Sequence, residues 1–227
     1  MNEYADTDAL ERILERRRSC RGYLPDPVPP PMIERLLTLA QRTPSWNNVQ
    51  PWRVVIASGE ACERFRQALL VHVASGPQTG GDFDFPREYR DVYLDRRRTC
   101  GWGLYESVGI VRGDREASAR QAMENFRLFG APHVAIVTSD EALGTYGAID
   151  CGAYVNNFML AAASLGLDTI AQAALAAHSA FIRNWFGIGD DRAIVCGIAF
   201  GYGDPAHPAN AFRTERASLD EVVEFVD

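Results

Sequence analysis

Residues 148–165 are apolar almost all round a helical projection, interrupted only by Asp150 and the adjacent Asn156 and Asn157. A helix of that composition cannot lie on a solvated surface, so it must be enclosed by its own subunit or sit between subunits. No uninterrupted apolar run approaches the roughly 20 residues that a membrane-spanning helix needs. The expected product is a globular domain built around a buried helix, and 227 residues with 47% hydrophobic content suffice for it. With 23 basic against 30 acidic residues the net charge is −7, which opposes general adhesion to nucleic acid or to an anionic membrane. Any basic cluster therefore has a local purpose.

Five cysteines, at 20, 62, 100, 151 and 196, are widely spaced, odd in number and never in C-x-x-C. Neither a disulfide framework nor a metal site is indicated, and a reducing cytoplasm fits best. The start, Met1 to Asp6, is acidic and lacks an apolar core, so no signal peptide is expected.

The remaining pattern alternates helices with a few strands. Asp8 with Glu11 resembles an N-cap pair, after which Leu10, Ile13 and Leu14 keep helical spacing up to Arg17. A proline-rich strap (Pro25, Pro27, Pro29, Pro30, Pro31) leads to a second helix carrying Ile33, Leu36, Leu37 and Ala40, which stops before Pro44. Strands are expected at 52–57, 133–138, 168–171 and 193–200, with helices at 61–73 and 115–128. Residues 76–103 mix glycines, aromatics and the run Arg96-Arg97-Arg98, which suits an irregular excursion over a binding site. The tail ends in the apolar series Leu219, Val222, Val223, Phe225.

Two constellations carry chemistry. Arg17-Arg18-Ser19-Cys20-Arg21 sets three cations around a hydroxyl, concentrated positive charge in an acidic chain, and a phosphate-bearing small molecule is the first suspect. Between the second helix and the first strand, Ser45, Asn48 and Gln50 offer hydroxyl and amide groups on a loop bounded by Pro44 and Pro51, with Trp46 beside them. Such groups can read the polar edge of a planar heterocycle, though they serve equally to satisfy the backbone of a proline-punctuated turn.

These residues resemble the FMN-dependent nitroreductase family, in particular its bacterial nitrobenzoate-reductase-like branch. The family pattern R-R-S-x-R is matched by Arg17, Arg18, Ser19 and Arg21. The pattern P-S-x-x-N-x-Q-P-W is matched by Pro44, Ser45, Asn48, Gln50, Pro51 and Trp52. A strand ending in Gly201-Tyr202, followed by Asn210, Arg213 and Arg216, completes the series, so the likeness runs end to end.

The resemblance implies an α+β fold, one domain over 1–227 with a mainly antiparallel sheet flanked by helices. It further implies an intertwined homodimer, a substrate-side excursion near 76–130, a tail exchanged between subunits near 206–227, and two FMN sites across the interface. Arg17, Arg21 and Arg216 would hold the FMN phosphate, with Arg213 nearby and Ser19 and Arg18 toward the ribityl and ring edge. Asn48 and Gln50 would meet the ring or ribityl, and Pro44, Ser45 and Trp46 would approach from the partner subunit. Ala171, Gln172 and Ala173 would pass near the reactive nitrogen of the ring. The implied activity is ping-pong reduction of nitroaromatic or similar electron-poor acceptors by NADH or NADPH, with no catalytic side chain and no metal. Reductive dehalogenation or dehydrogenation on the same scaffold, and a non-enzymatic FMN-binding dimer, are the alternatives.

Other features are read conservatively. Arg96 to Arg98 suit a solvated or salt-bridged helical face, or else attraction of an anionic aromatic acceptor. Phe83, Phe85, Tyr89, Tyr93, Trp102, Phe126 and Phe129 are chiefly core residues, with two or three expected at the flavin face. Cys20 is expected as a small buried hydrophobe, His72 on a helix surface and His133 at a strand start.

Overall fold

The computed structural model describes residues 4–77 and 80–226. Positions 1–3, 78, 79 and 227, which fall at the start, in the expected excursion and in the expected tail, lie outside the described residues.

Four strands, β1 (Arg53–Ser58), β2 (His133–Asp140), β3 (Asp168–Gln172) and β4 (Arg192–Gly201), form one sheet in the order β1-β2-β4-β3. Every pairing is antiparallel, as expected. The central strands β2 and β4 are buried almost throughout, because helices cover both faces of the sheet and period-2 alternation sends successive side chains to opposite cores. Ala135, Val137, Cys196, Ile198 and Phe200 enter one core with α2 (Pro30–Ala40) and α6 (Gly144–Ser164). Val134, Ile136, Ile194 and Ala199 enter the other with α3 (Glu60–Ala74) and α8 (Ser179–Phe186).

The long apolar helix is α6. Cys151, Tyr154, Val155, Phe158, Ala161 and Ala162 follow one another at helical spacing into the first core. Enclosure is one-sided, however: Tyr146, Ile149, Gly152, Ala153 and Asn156 make an exposed stripe along the opposite face. Asn157 does not break the helix; its amide donates to Thr43 Oγ1 at 2.8 Å.

Several boundaries differ from expectation. Helix α1 (Ala5–Arg16) begins after Tyr4, which puts Asp8 inside the first turn rather than at the cap. Pro30 and Pro31 belong to the first turn of α2, where a missing N–H costs nothing, so the strap ends at Pro29. The excursion is not irregular to residue 103, since α4 spans Asp91–Ser107. It buries no residue and so leaves no apolar stripe in the sequence. Helix α5 stops at Met123 (Arg115–Met123), because Leu128 and Phe129 adopt φ of 53° and 52° in a following 3-10 turn. Two short helices, α7 (Ala173–Ala176) and α8, follow β3 and were not foreseen.

The strap is held by a histidine. Val28 N–H donates to His133 Nε2 at 2.8 Å, which leaves Nδ1 as the protonated nitrogen, and it lies 2.8 Å from Ser58 Oγ. Burial pushes the His133 pKa down. His133 does open β2, and His72 is a half-buried helix residue stacked on Phe181 at 4.3 Å.

Candidate active site

Helix α1 ends at Arg17, whose backbone turns extended at φ −62°, ψ 120°, and the chain then runs along the free edge of β3. Ser19 pairs in parallel with Thr169, and Cys20 N–H donates to Thr169 O at 3.0 Å. Cys20 is fully buried and its thiol pKa is raised mainly by that burial, the expected small hydrophobe.

The far end of the chain closes on the same place. Asn210, 4% exposed, accepts from Arg21 N–H at 2.7 Å and donates to Gly22 O and Asp204 O, both at 2.8 Å. Both of its amide donors and its carbonyl oxygen are spent on joining residues 21–22 to the exit of β4. The tail beyond it delivers Phe212, Arg213, Thr214 and Arg216.

The result is a cavity of about 810 Å³ lined by Arg17, Arg18, Ser19 and Arg21 from the first motif and Arg213 and Arg216 from the tail. Leu14 and Glu15 of α1, Cys100 of α4, Asn156 and Met159 of α6, and Phe212 and Thr214 of the tail complete the wall, Glu15 being its one acidic side chain. Only Arg18 has a carboxylate partner, Asp168 at 3.4 Å, which also accepts from Gly203 N–H at 3.2 Å. A Cβ on Gly203 would lie 2.5 Å from that carboxylate, so glycine is required there. Among the described residues, Arg17, Arg21, Arg213 and Arg216 have no carboxylate within 4 Å; the last three donate to carbonyls of their own segments. Burial, and then the neighbouring Arg216, lowers the Arg17 pKa; burial likewise lowers that of Arg21. Converging cations that outnumber the single carboxylate on the wall, Glu15, make a receptor suited to a multiply charged anion.

Ala171 and Ala173 are exposed beside this edge, whereas Gln172 is buried at 2% and donates to Asn125 O at 2.7 Å. Of the segment expected to pass the ring, Gln172 can therefore offer only its backbone on this side, because alternation turns its side chain to the opposite face of the sheet. Thr169 directs its carbonyl outward to Cys20, so Ala171, two residues on, also directs its N–H off the edge.

The second constellation lies apart. No residue of 44–52 lines the arginine cavity. Trp46, 59% exposed, packs on Tyr146 with ring centroids 4.7 Å apart, and its N–H donates to the Asp150 carboxylate at 3.2 and 3.3 Å. Ser45 Oγ accepts from Gln50 N–H at 2.9 Å. The Gln50 amide donates to Asn48 Oδ1 at 3.1 Å and accepts from Gln41 at 3.0 Å. Asn47, Asn48 and Gln50 all take positive φ (48°, 56°, 51°), three strained residues in four positions. The loop meets the half of α6 that carries Tyr146 and Asp150, while the arginine cavity meets the half that carries Asn156 and Met159. The two constellations therefore meet one helix at two separate places.

None of the seven aromatics singled out lines the arginine cavity; Phe129 is core, while Phe85, Tyr89 and Tyr93 are exposed. Arg96 pairs with Glu221 at 3.0 Å and Arg97 lies 5.1 Å over the Tyr89 ring, both on an exposed face. Asn156 was missed as a site residue because in the sequence it reads only as a flaw in an apolar helix.

An antiparallel sheet between two helical layers, with a cationic cavity at its free edge, defines a class of α+β proteins equipped to hold a phosphorylated cofactor. The chain belongs to the nitroreductase family, whose model matches residues 14–202. It is 34% identical over 220 residues to nitroreductase NfnB of Mycolicibacterium smegmatis, covering 96% of this chain and 92% of that protein. It is 33% identical to a 4-nitrobenzoate reductase of Nocardioides sp., covering 96% and 90%. The crystal structure of the FMN-dependent nitroreductase NfnB from Mycobacterium smegmatis in complex with NADPH superposes with a TM-score of 0.92 at 32% identity, covering 97% of this chain and 99% of that one.

Proposed function

We propose that this chain is an FMN-dependent oxidoreductase that takes electrons from NADH or NADPH and delivers them to nitroaromatic or similarly electron-poor acceptors. The observation that carries the reading is the set of four guanidiniums, Arg17, Arg21, Arg213 and Arg216, around one cavity whose wall carries a single acidic side chain, Glu15, which among the described residues pairs with none of them. A dianionic phosphate fits that deficit. The family relatives named above support both the cofactor and the chemistry.

FMN, when bound, supplies the reversible electron and hydride chemistry that no side chain here can perform. This chain's residues bind and orient. Arg17, Arg21, Arg213 and Arg216 hold the phosphate by charge-assisted hydrogen bonds; Ser19 and Arg18 serve the ribityl and ring edge, with Asp168 fixing the guanidinium of Arg18. The outward N–H of Ala171 offers the ring a donor, and the methyls of Ala171 and Ala173 leave room for it. Donor and acceptor use one place in turn, in ping-pong order, and no residue is assigned a catalytic role.

Pro44, Ser45, Trp46, Asn48 and Gln50 complete the site from a second copy of the chain. Two features favour that homodimer: the exposed stripe on α6 between the half-sites, and an apolar tail with Leu219, Val222 and Phe225 at 63–81% exposure. In this reading residues 1–227 form one domain, 76–130 border the acceptor and 206–227 exchange between subunits. All five cysteines are free thiols, which suits the cytoplasm, and among the described residues no helix is long and apolar enough to cross a membrane.

The purified protein should be yellow and should bleach anaerobically on addition of NADH or NADPH, with colour returning when a nitroaromatic is added. A colourless protein that takes up no FMN would sink the proposal.

A further inference from the structure

The geometry points to Arg192 as a positioning residue for the loop 44–52, acting on it through the carbonyl of Pro51. The inference rests on the flavin site proposed above and adds a residue that neither motif contains.

Arg192 opens β4 and is 6% exposed. Its Nη2 donates to Pro51 O at 2.6 Å and to Thr138 O at 2.9 Å, and its Nε to Thr138 Oγ1 at 3.2 Å. The nearest carboxylate, Asp140, is 4.0 Å away and half-exposed. Burying a guanidinium with so distant a counter-charge is unfavourable unless its hydrogen bonds are needed. Two of them fill the bulge where the β2–β4 register shifts between Val137 and Thr138. The shortest leaves the sheet and reaches Pro51.

That residue is where the loop joins the sheet. Pro51 has no N–H, so its carbonyl is the one backbone hydrogen-bonding group it can use as an anchor. Immediately before it stands Gln50 at φ 51°, the last of the three strained residues. The opposite end is fixed by Thr43 Oγ1, which accepts from Asn157, and by Trp46 N–H on Asp150. Strained backbone persists only where its surroundings over-determine it, and Arg192 supplies the constraint at the end nearest Asn48 and Gln50. Their amides are the groups that would face a flavin edge, where misplacement by a fraction of an ångström weakens every bond they make.

The test compares Arg192→Met, which keeps the stem and loses the donors, and Arg192→Lys, which keeps charge without the fork, with Thr138→Val, which removes one bulge-side acceptor and spares Pro51. FMN dissociation constant, flavin reduction potential and thermal midpoint are measured on each holoenzyme. Arg192→Met should weaken FMN binding roughly tenfold, equivalent to one charge-assisted hydrogen bond, and lower the flavin potential. Arg192→Lys should do so to a smaller extent, while Thr138→Val lowers only the thermal midpoint. Parent-like FMN affinity and potential in Arg192→Met overturn the inference, as does an equal change in Thr138→Val, which would mark a purely structural arginine. Should Arg192→Met fail to fold, Arg192→Lys with parent-like affinity and potential overturns it. A parent chain that binds no flavin at all sinks the functional reading; a flavin-bound parent with unaffected variants sinks this inference alone.

Discussion

The arginine cavity and the loop 44–52 are held in place by opposite means, although both lean on α6. The cavity gathers like charges from the two ends of the chain and offsets them only in part, through Glu15 on its wall and Asp168 beside Arg18, so its cost is electrostatic and an anionic ligand relieves it. The loop carries no charge of its own between Pro44 and Pro51; its cost is conformational, in three positive φ angles, and protein anchors relieve it. A ligand should therefore stabilise the first region far more than the second. Substitutions should weaken the first by removing attraction and the second by releasing strain.

Four experiments probe that contrast. Arg17→Ala or Arg216→Ala should weaken FMN retention by about 1.5–3 kcal/mol, roughly ten- to a hundredfold, with little change in the stability of the apoprotein. Unchanged affinity in both variants, by fluorescence titration, would remove the electrostatic half of the comparison. Asn210→Ala leaves the Arg21 amide without its acceptor and removes one of the donors to Gly22 O, which keeps Asp204 N–H, and the expected loss of folding stability is about 2 kcal/mol by urea unfolding. A loss confined to flavin affinity, with stability intact, would mean that Asn210 acts on the ligand rather than on the chain.

Ser45→Ala removes the acceptor for Gln50 N–H at an exposed site and should cost about 1 kcal/mol or less, while added FMN restores little of it. Full recovery with FMN would erase the distinction between the two regions. The smallest effect is a pH slope outside both. Because burial depresses the folded pKa of His133, the stability its neutral form confers is complete above the ordinary imidazole value of 6.5. It is lost as the pH falls through the lowered folded value. Urea midpoints should fall between about pH 7.5 and pH 5, less steeply in His133→Gln. An identical slope in the variant would clear the strap of that role.

Local signals carried the two constellations and the four strands, because Arg17–Arg21, the loop 44–52 and the apolar runs of β2 and β4 declare themselves within a few residues. What stayed hidden depends on partners distant in sequence. Helix α4 buries nothing, so periodicity could not find it. Which face the Gln172 side chain takes is fixed by strand register, which becomes visible only when Thr169 is seen to bond Cys20. Arg192 looked like any charged residue before a strand; its purpose emerges only when Pro51 lies 2.6 Å away. The separation of the two constellations likewise follows from where Asp150 and Asn156 fall along one helix.

The bond between the Arg21 amide and Asn210 spans 189 positions of chain. On a ribosome, the first motif emerges early and must wait until nearly the whole polypeptide has been made before that wall can close. At roughly 5–20 residues per second the interval is about 10–40 s, during which exposed arginines have no finished receptor to belong to. Closure of the cavity is thereby deferred to the end of synthesis, and a chain cut just before Asn210, 18 residues short of 227, would carry every arginine of the first motif with no wall to close on them.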